Sequence, residues 1–131
     1  MKVIDSSALI KYFSREEGWE KVEEHILEGA TTLDLAIKEV ANALWRKILK
    51  EEMETHQAKE ILEDLIKAQA IKIIPQNTLI AEALELAIKH HTPIYDTLFI
   101  TLAKKLKTTL ITSDTKQGSI AQKEEVKTII V

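Results

Sequence analysis

Asp5, Glu39, Asp96 and Asp114 are the residues of this chain whose type and placement bear most directly on chemistry. Asp5 follows Lys2-Val3-Ile4, which reads as a short strand, and stands where that first strand hands over to a helix. Asp96 precedes Leu98, Phe99, Leu102, Ala103 and Leu106, whose i, i+3, i+4 spacing predicts one buried stripe of a helix with Asp96 in its first turn. Asp114 follows the β-branched and apolar Thr109-Leu110-Ile111-Thr112, which reads as a short buried strand. Glu39 falls in the early turns of a long amphipathic helix. Each Asp taken alone also reads as a helix cap, accepting orphan backbone N–H groups, and beside Asp5 the hydroxyls of Ser6 and Ser7 are alternative caps. Four unpaired carboxylates gathered at one place repel and raise one another's pKa, so such a cluster needs a cation or a basic partner. Oxygen ligands without His or Cys suit Mg2+ or Mn2+. One or two such ions would acidify a bound water, hold it in line with a scissile phosphorus and stabilise the leaving 3' oxygen. That is a phosphoryl-transfer site with no protein nucleophile.

The elements that must position these acids are legible from periodicity. Strands are expected at 2–4, 31–33, 71–75, 109–112 and 126–131. A helical stripe runs through Ala8, Leu9, Tyr12 and Phe13, and further helices are expected at 16–28, 35–50, 55–69, 79–90 and 117–123 besides the one opened by Asp96. Asp34 and Thr55 read as N-caps of their helices. Alternating strands and helices imply right-handed crossovers and a three-layer α/β/α sandwich with a central, mainly parallel sheet. Ligands of open α/β sheets collect outside the carboxyl ends of the strands, and all four acids can reach that end. His25 lies among charged residues, and the adjacent His90 and His91 point in different directions from a helix end, so none reads as a metal ligand.

Composition narrows the remaining choices. A chain of 131 residues reads as a single domain over 1–131, large enough to bury its own core. The absence of Cys excludes disulfides, thiolate zinc sites and nucleophilic Cys chemistry, and fits a cytosolic setting. No apolar run approaches the ~20 residues that span a bilayer, and MKVIDSSALIKYF carries no sustained apolar stretch with a cleavage site, so a soluble protein without a membrane partner is expected. A net charge of -3 provides no global basic field for nucleic acid, so any such contact uses local patches. Three glycines, none spaced as a phosphate-cradling loop, argue against a mononucleotide fold.

The segments VIDSSALI, AIKEVANALWR, YDTLFITLA and LITSDTKQ, in that order and over the whole length, resemble a PIN domain of the VapC toxin type. The resemblance implies a metal-dependent endoribonuclease, Mg2+ or Mn2+ its cofactor, with the acidic cluster and metal ligands at Asp5, Glu39, Asp96 and Asp114. It also implies supporting polar roles for Ser6, Asn42, Thr112 and Ser113, which would orient carboxylates. It implies a homodimer as well, and a small VapB-like antitoxin whose C-terminal segment blocks the cleft, a basic side chain complementing the acids. Thr97 departs from the family pattern, in which a small alanine commonly follows the third acid. Lys11, Arg15, Arg46, Lys47, Lys50 and Lys116 are the basic candidates to flank the cleft and hold RNA phosphates. Two other readings keep the same residues: a catalytically silent interaction module whose acidic cleft docks a basic peptide, and a metal-dependent DNA nuclease.

Overall fold

The computed structural model describes residues 1–131. Five strands form one wholly parallel sheet: β1 (Lys2–Ile4), β2 (Ala30–Leu33), β3 (Ile71–Ile74), β4 (Leu110–Thr112) and β5 (Thr128–Ile130), in the order β3-β2-β1-β4-β5. The helices are α1 (Ser6–Phe13), α2 (Trp19–Leu27), α3 (Leu35–Leu49), α4 (Thr55–Lys67), α5 (Ile80–His90), α6 (Ile94–Leu106) and α7 (Thr115–Lys123), and a 3-10 turn at Asn77–Leu79 leads into α5. Helices α1 to α4 pack on one another, as do α5 to α7, which completes the expected three-layer sandwich. The central strands are buried on both faces, so β1, β2 and β4 are apolar or Thr throughout, apart from Lys2.

Strand order explains why the acids can meet. From β1 the chain winds outward through β2 to β3, then crosses to the other side of β1 and continues through β4 to β5. Connections leaving β1 and β4 therefore diverge, and the carboxyl ends of these neighbouring strands open a crevice at the switch point. Asp5 lies directly after β1 and Asp114 two residues after β4.

Helix α6 is the most enclosed helix: Thr97 to Ala103 are all buried, against the sheet on one side and α5 on the other. A helix buried all round must satisfy its polar side chains internally. Thr97 Oγ1 donates to the Ala83 carbonyl of α5 at 2.7 Å, and Thr101 Oγ1 to the Thr97 carbonyl at 2.8 Å. The hydroxyl at the departure from the family pattern thus ties α5 to α6. At the other edge, Gly118 lets α7 lie close on the sheet, since a Cβ there would run into Ile130 of β5.

Several boundaries differ from the sequence reading. Helix α2 begins at Trp19 because Gly18, at φ +90°, closes the turn after α1. Helix α4 is capped by Glu54, whose backbone N–H donates to Gln57 Oε1 at 2.9 Å, and not by Thr55. Asp34 does not cap α3. Its backbone is already helical (ψ -25°), and its carboxylate accepts the Gln76 N–H at 3.1 Å, tying the end of β2 to the end of β3. Helix α7 starts two residues early, at Thr115.

Candidate functional site

Asp5 and Asp114 are both helix caps, and each uses one oxygen for it. Asp5 Oδ1 accepts the Ala8 N–H at 3.0 Å and the Ser7 hydroxyl at 2.7 Å. Asp114 Oδ1 accepts the N–H groups of Lys116 (2.9 Å) and Gln117 (3.1 Å). Capping and a role at the site thus coexist. Ser6 and Ser7, which looked like spare caps, serve acids: Ser6 Oγ donates to Glu39 Oε1 at 2.6 Å, joining α1 to α3. Asp96, in the first turn of α6, accepts the Thr92 hydroxyl on Oδ2 at 2.7 Å, and Lys116 Nζ lies 4.0 Å from the same oxygen. Thr112 Oγ1 accepts the Asp114 N–H at 3.0 Å and sits 3.2 Å from Ser7 Oγ.

Electrostatically the four acids fall into two pairs, Asp5 with Asp114 and Glu39 with Asp96. Asp5 is 1 % exposed, and its Oδ2 is buried with no hydrogen-bond partner. Burial pushes its carboxyl up to about 6; the nearby Thr112 hydroxyl, the Ser7 hydroxyl and the Ala8 N–H hold it down in part, and the Asp114 charge pushes it further up. Glu39 is also raised, chiefly by burial, opposed by the Ser6 hydroxyl and reinforced by the Asp96 charge. Asp5 thus senses Asp114, and Glu39 senses Asp96. No three Asp, Glu or His side chains converge on a single point as ligands.

The donor set suits a hard divalent cation. The side chains that carry the site's oxygens are carboxylates and hydroxyls, with no His or Cys among them. Asp5 Oδ2 is the most telling atom, because a buried carboxylate oxygen without a donor is costly unless a proton or cation meets it. Asp5 with Asp114, and Glu39 with Asp96, are the side chains available to such an ion.

The remaining predicted residues divide. Lys116 stands at the acids. Arg15 does not: it lies past the C-terminal end of α1 at φ +54°, with its guanidinium 4.0 Å from the centre of the Trp19 ring and 4.9 Å from that of Tyr12. There it borders a cavity of about 360 Å3 that also reaches Ile71, the first residue of β3, at the opposite end of the sheet from the acids. Lys11 Nζ extends toward the Gly18 turn, away from the crevice. Arg46 and Lys47 lie in the last turn of α3, about 10 Å along the helix axis beyond Glu39, and Lys47 pairs with Glu52 at 3.7 Å. Lys50 closes the same helix end. Asn42 is exposed and bonds to no side chain or backbone group. Ser113 Oγ donates to the Val131 carbonyl at 3.2 Å rather than to an acid. Ser7 and Thr92 make hydroxyl bonds to Asp5 and Asp96 of the kind that the family resemblance implied for Asn42 and Ser113. Ser7 was visible only as a polar residue in a first turn, and Thr92 was hidden by Pro93, which reads as a loop.

Comparison with known proteins agrees with this architecture. The model of the PIN domain family matches residues 2–123. Ribonuclease VapC3 of Pyrobaculum aerophilum is 33% identical over 115 residues, which cover 86% of this chain and 88% of that protein. Among solved structures, PAE2754 from Pyrobaculum aerophilum superposes with a TM-score of 0.73 at 22% identity, covering 97% of this chain and 82% of the other. FitAcB from Neisseria gonorrhoeae gives 0.65 at 17% identity, covering 98% and 96%, and a toxin-antitoxin complex from Klebsiella pneumoniae gives 0.60 at 20%, covering 89% of each chain. A parallel sheet with acids at its switch point, a family model spanning nearly every element and a relative matched over most of both lengths lead to one assignment: the chain belongs to the PIN-domain family, with the VapC-type proteins.

Proposed function

We propose that this protein is a metal-dependent endoribonuclease, the toxin of a type II toxin-antitoxin pair, in which Asp5, Glu39, Asp96 and Asp114 hold Mg2+ or Mn2+. The observation that carries the reading is the buried, partnerless Oδ2 of Asp5 beside a second acid, an arrangement that a cation relieves. Kinship with a protein named as a ribonuclease supports RNA as the substrate, and likeness to a toxin-antitoxin complex supports a small VapB-like antitoxin covering the cleft. A homodimer, as the family resemblance implies, and a cytoplasmic setting, which the absence of Cys fits, belong to the same proposal. No helix is long and apolar enough to cross a membrane.

A divalent ion held by Asp5, Glu39, Asp96 and Asp114 would supply an acidified water and charge neutralisation at the phosphate and the leaving 3' oxygen. The chain's own residues do the rest. Ser6 and Thr92 fix Glu39 and Asp96 through short hydroxyl bonds, so these carboxylates keep their orientation when charged. Asp5 and Asp114 are fixed by the backbone N–H groups they cap. Thr112 holds the Asp114 backbone, with Ser113 next to it shaping the turn. Lys116, exposed and free to swing from Asp96, offers an ammonium to an RNA phosphate.

The test is cleavage of an end-labelled structured RNA, and of a DNA of the same sequence, with Mg2+, Mn2+ or EDTA, beside Asp96→Asn. Cleavage of RNA that needs metal and is reduced at least a hundredfold in the variant supports the reading; full activity of Asp96→Asn overturns it. Preference for the DNA moves the assignment to a DNA nuclease. A second reading, a silent module whose acids dock a basic side chain, draws on the approach of Lys116 to Asp96 and on the absence of a converged ligand triad. It requires that the folded protein cleave neither RNA nor DNA with either metal.

A further inference from the structure

Two adjacent serines open α1, and their hydroxyls serve different acids. Ser6 donates to Glu39 and Ser7 to Asp5. Successive residues in a helix point about 100° apart, so one turn can hold a carboxylate on the α3 side and another on the β4 side. Ser7 has further contacts. Its single proton goes to Asp5 Oδ1, which leaves its lone pairs for the Ser113 N–H at 2.9 Å and the Thr112 hydroxyl at 3.2 Å. Thr112 Oγ1 in turn accepts the Asp114 N–H. One hydroxyl therefore ties the turn after β1 to the turn after β4 across the switch point, and with it the positions of Asp5 and Asp114.

The effect on Asp5 is directional. With Ser7 and the Ala8 N–H both bonded to Oδ1, the carboxylate cannot rotate without breaking both bonds, and Oδ2 is left buried and partnerless. Capping alone does not produce this, because a single N–H bond leaves the carboxylate free to turn about it; the Ser7 bond and its anchorage to the turn after β4 fix the carboxylate plane, and with it the direction of the second oxygen. We propose that Ser7 is a positioning residue of the acidic site, its hydroxyl pinning Asp5 Oδ1 so that Oδ2 is presented to a divalent cation. This rests on the metal-dependent reading above, and it adds a residue that the family resemblance did not supply.

The experiment is calorimetric titration of Mn2+ into the wild-type chain, Ser7→Ala and Ser7→Thr, with thermal melting of each in EDTA. A second-sphere group of this kind changes metal affinity about 10- to 100-fold. The expected result is that loss in Ser7→Ala, with a cooperative melt retained, and recovery to within about threefold of wild type in Ser7→Thr, which restores the hydroxyl. Should the alanine chain not hold its fold, Ser7→Cys makes the same comparison, since the thiol fills the space but donates weakly. Unchanged Mn2+ affinity in a folded Ser7→Ala or Ser7→Cys overturns the proposal, and so does equal weakening in Ser7→Ala and Ser7→Thr, which would make the effect one of packing. A wild-type chain that binds no Mn2+ overturns this proposal together with the metal reading. A wild-type chain whose Mn2+ affinity depends on Ser7 in this way but which cleaves no RNA removes only the nuclease.

Discussion

Replacing Asp5 by Asn should raise the stability of the metal-free protein relative to that of wild type as pH rises. In the folded chain the Asp5 carboxyl is raised from 3.8 to about 6. The folded state therefore binds the proton more tightly than the unfolded one, and wild-type stability from this group is highest in acid and falls as pH climbs from about 4 through about 6. At about 1.36 kcal/mol per unit, the ionised group costs the apo fold about 3 kcal/mol once pH is above both values. Asn cannot ionise and escapes that cost. It brings a separate, pH-independent penalty of about 1–3 kcal/mol, because an amide N–H2 placed at the Oδ2 position finds no acceptor. The net effect at a single pH is therefore small and of either sign, whereas the change with pH isolates the carboxyl. Between about pH 4.5 and 7.5 the stability of Asp5→Asn relative to wild type should rise by about 2 kcal/mol. Urea unfolding in EDTA, followed by the fluorescence of Trp19 and Trp45, reads this directly. A difference that stays flat across the two pH values, or shrinks, would mean that Asp5 ionises in the fold at no cost and that its Oδ2 has a partner after all. Mn2+ in large excess over its dissociation constant should return about 2–3 kcal/mol to wild type and nothing to the variant.

Two other expectations follow from groups outside that pair. Glu124→Gln should destabilise the chain by about 2 kcal/mol in urea unfolding, because Lys89, His90 and Lys104 would be left around a neutral side chain; the figure is discounted for the exposure of both lysines. Glu124 is lowered to about 2, so its contribution is complete above about 4.5 and lost as pH falls toward 2, opposite in sense to Asp5. Lys116→Ala should weaken RNA binding severalfold and flatten its salt dependence, measured with catalytically silent Asp96→Asn as background, whereas Arg15→Ala should leave both unchanged; equal effects of the two would refute the placement of Arg15 away from the crevice.

The fold was legible because each acid adjoins an apolar pattern strong enough to define its element. Val3-Ile4 before Asp5 and Leu110-Ile111-Thr112 before Asp114 read as buried strands, and a parallel sheet brings such strand ends to one edge. Side-chain direction was less legible, since it depends on contacts between distant segments. Asp34 has the residue type of a cap, but its backbone is already helical and Gln76, brought near by β3, supplies the donor. Arg15 follows α1 directly, and spacing says nothing of the left-handed turn that carries it back over Trp19. Ser113 and Ser7 are equally polar in sequence; what separates them is that one faces Val131 and the other Asp5.

Burial alone does not mark the acidic site. The Glu124 side chain is only 4 % exposed, close to the burial of Asp5, yet the two carboxyls shift in opposite directions. Glu124 has two lysine ammoniums and the His90 ring nitrogen on its oxygens, so its charge is matched and it joins α5, α6 and the end of α7. Asp5 has bonds on one oxygen, none on the other, and another acid as its nearest charge. A chain selected only for stability gains by giving such a group a partner or by replacing it with an apolar one of similar size. Keeping an unmatched acid at the switch point of a parallel sheet, and spending Ser7, Thr112 and a helix cap on holding it still, makes sense when the missing partner arrives from solution.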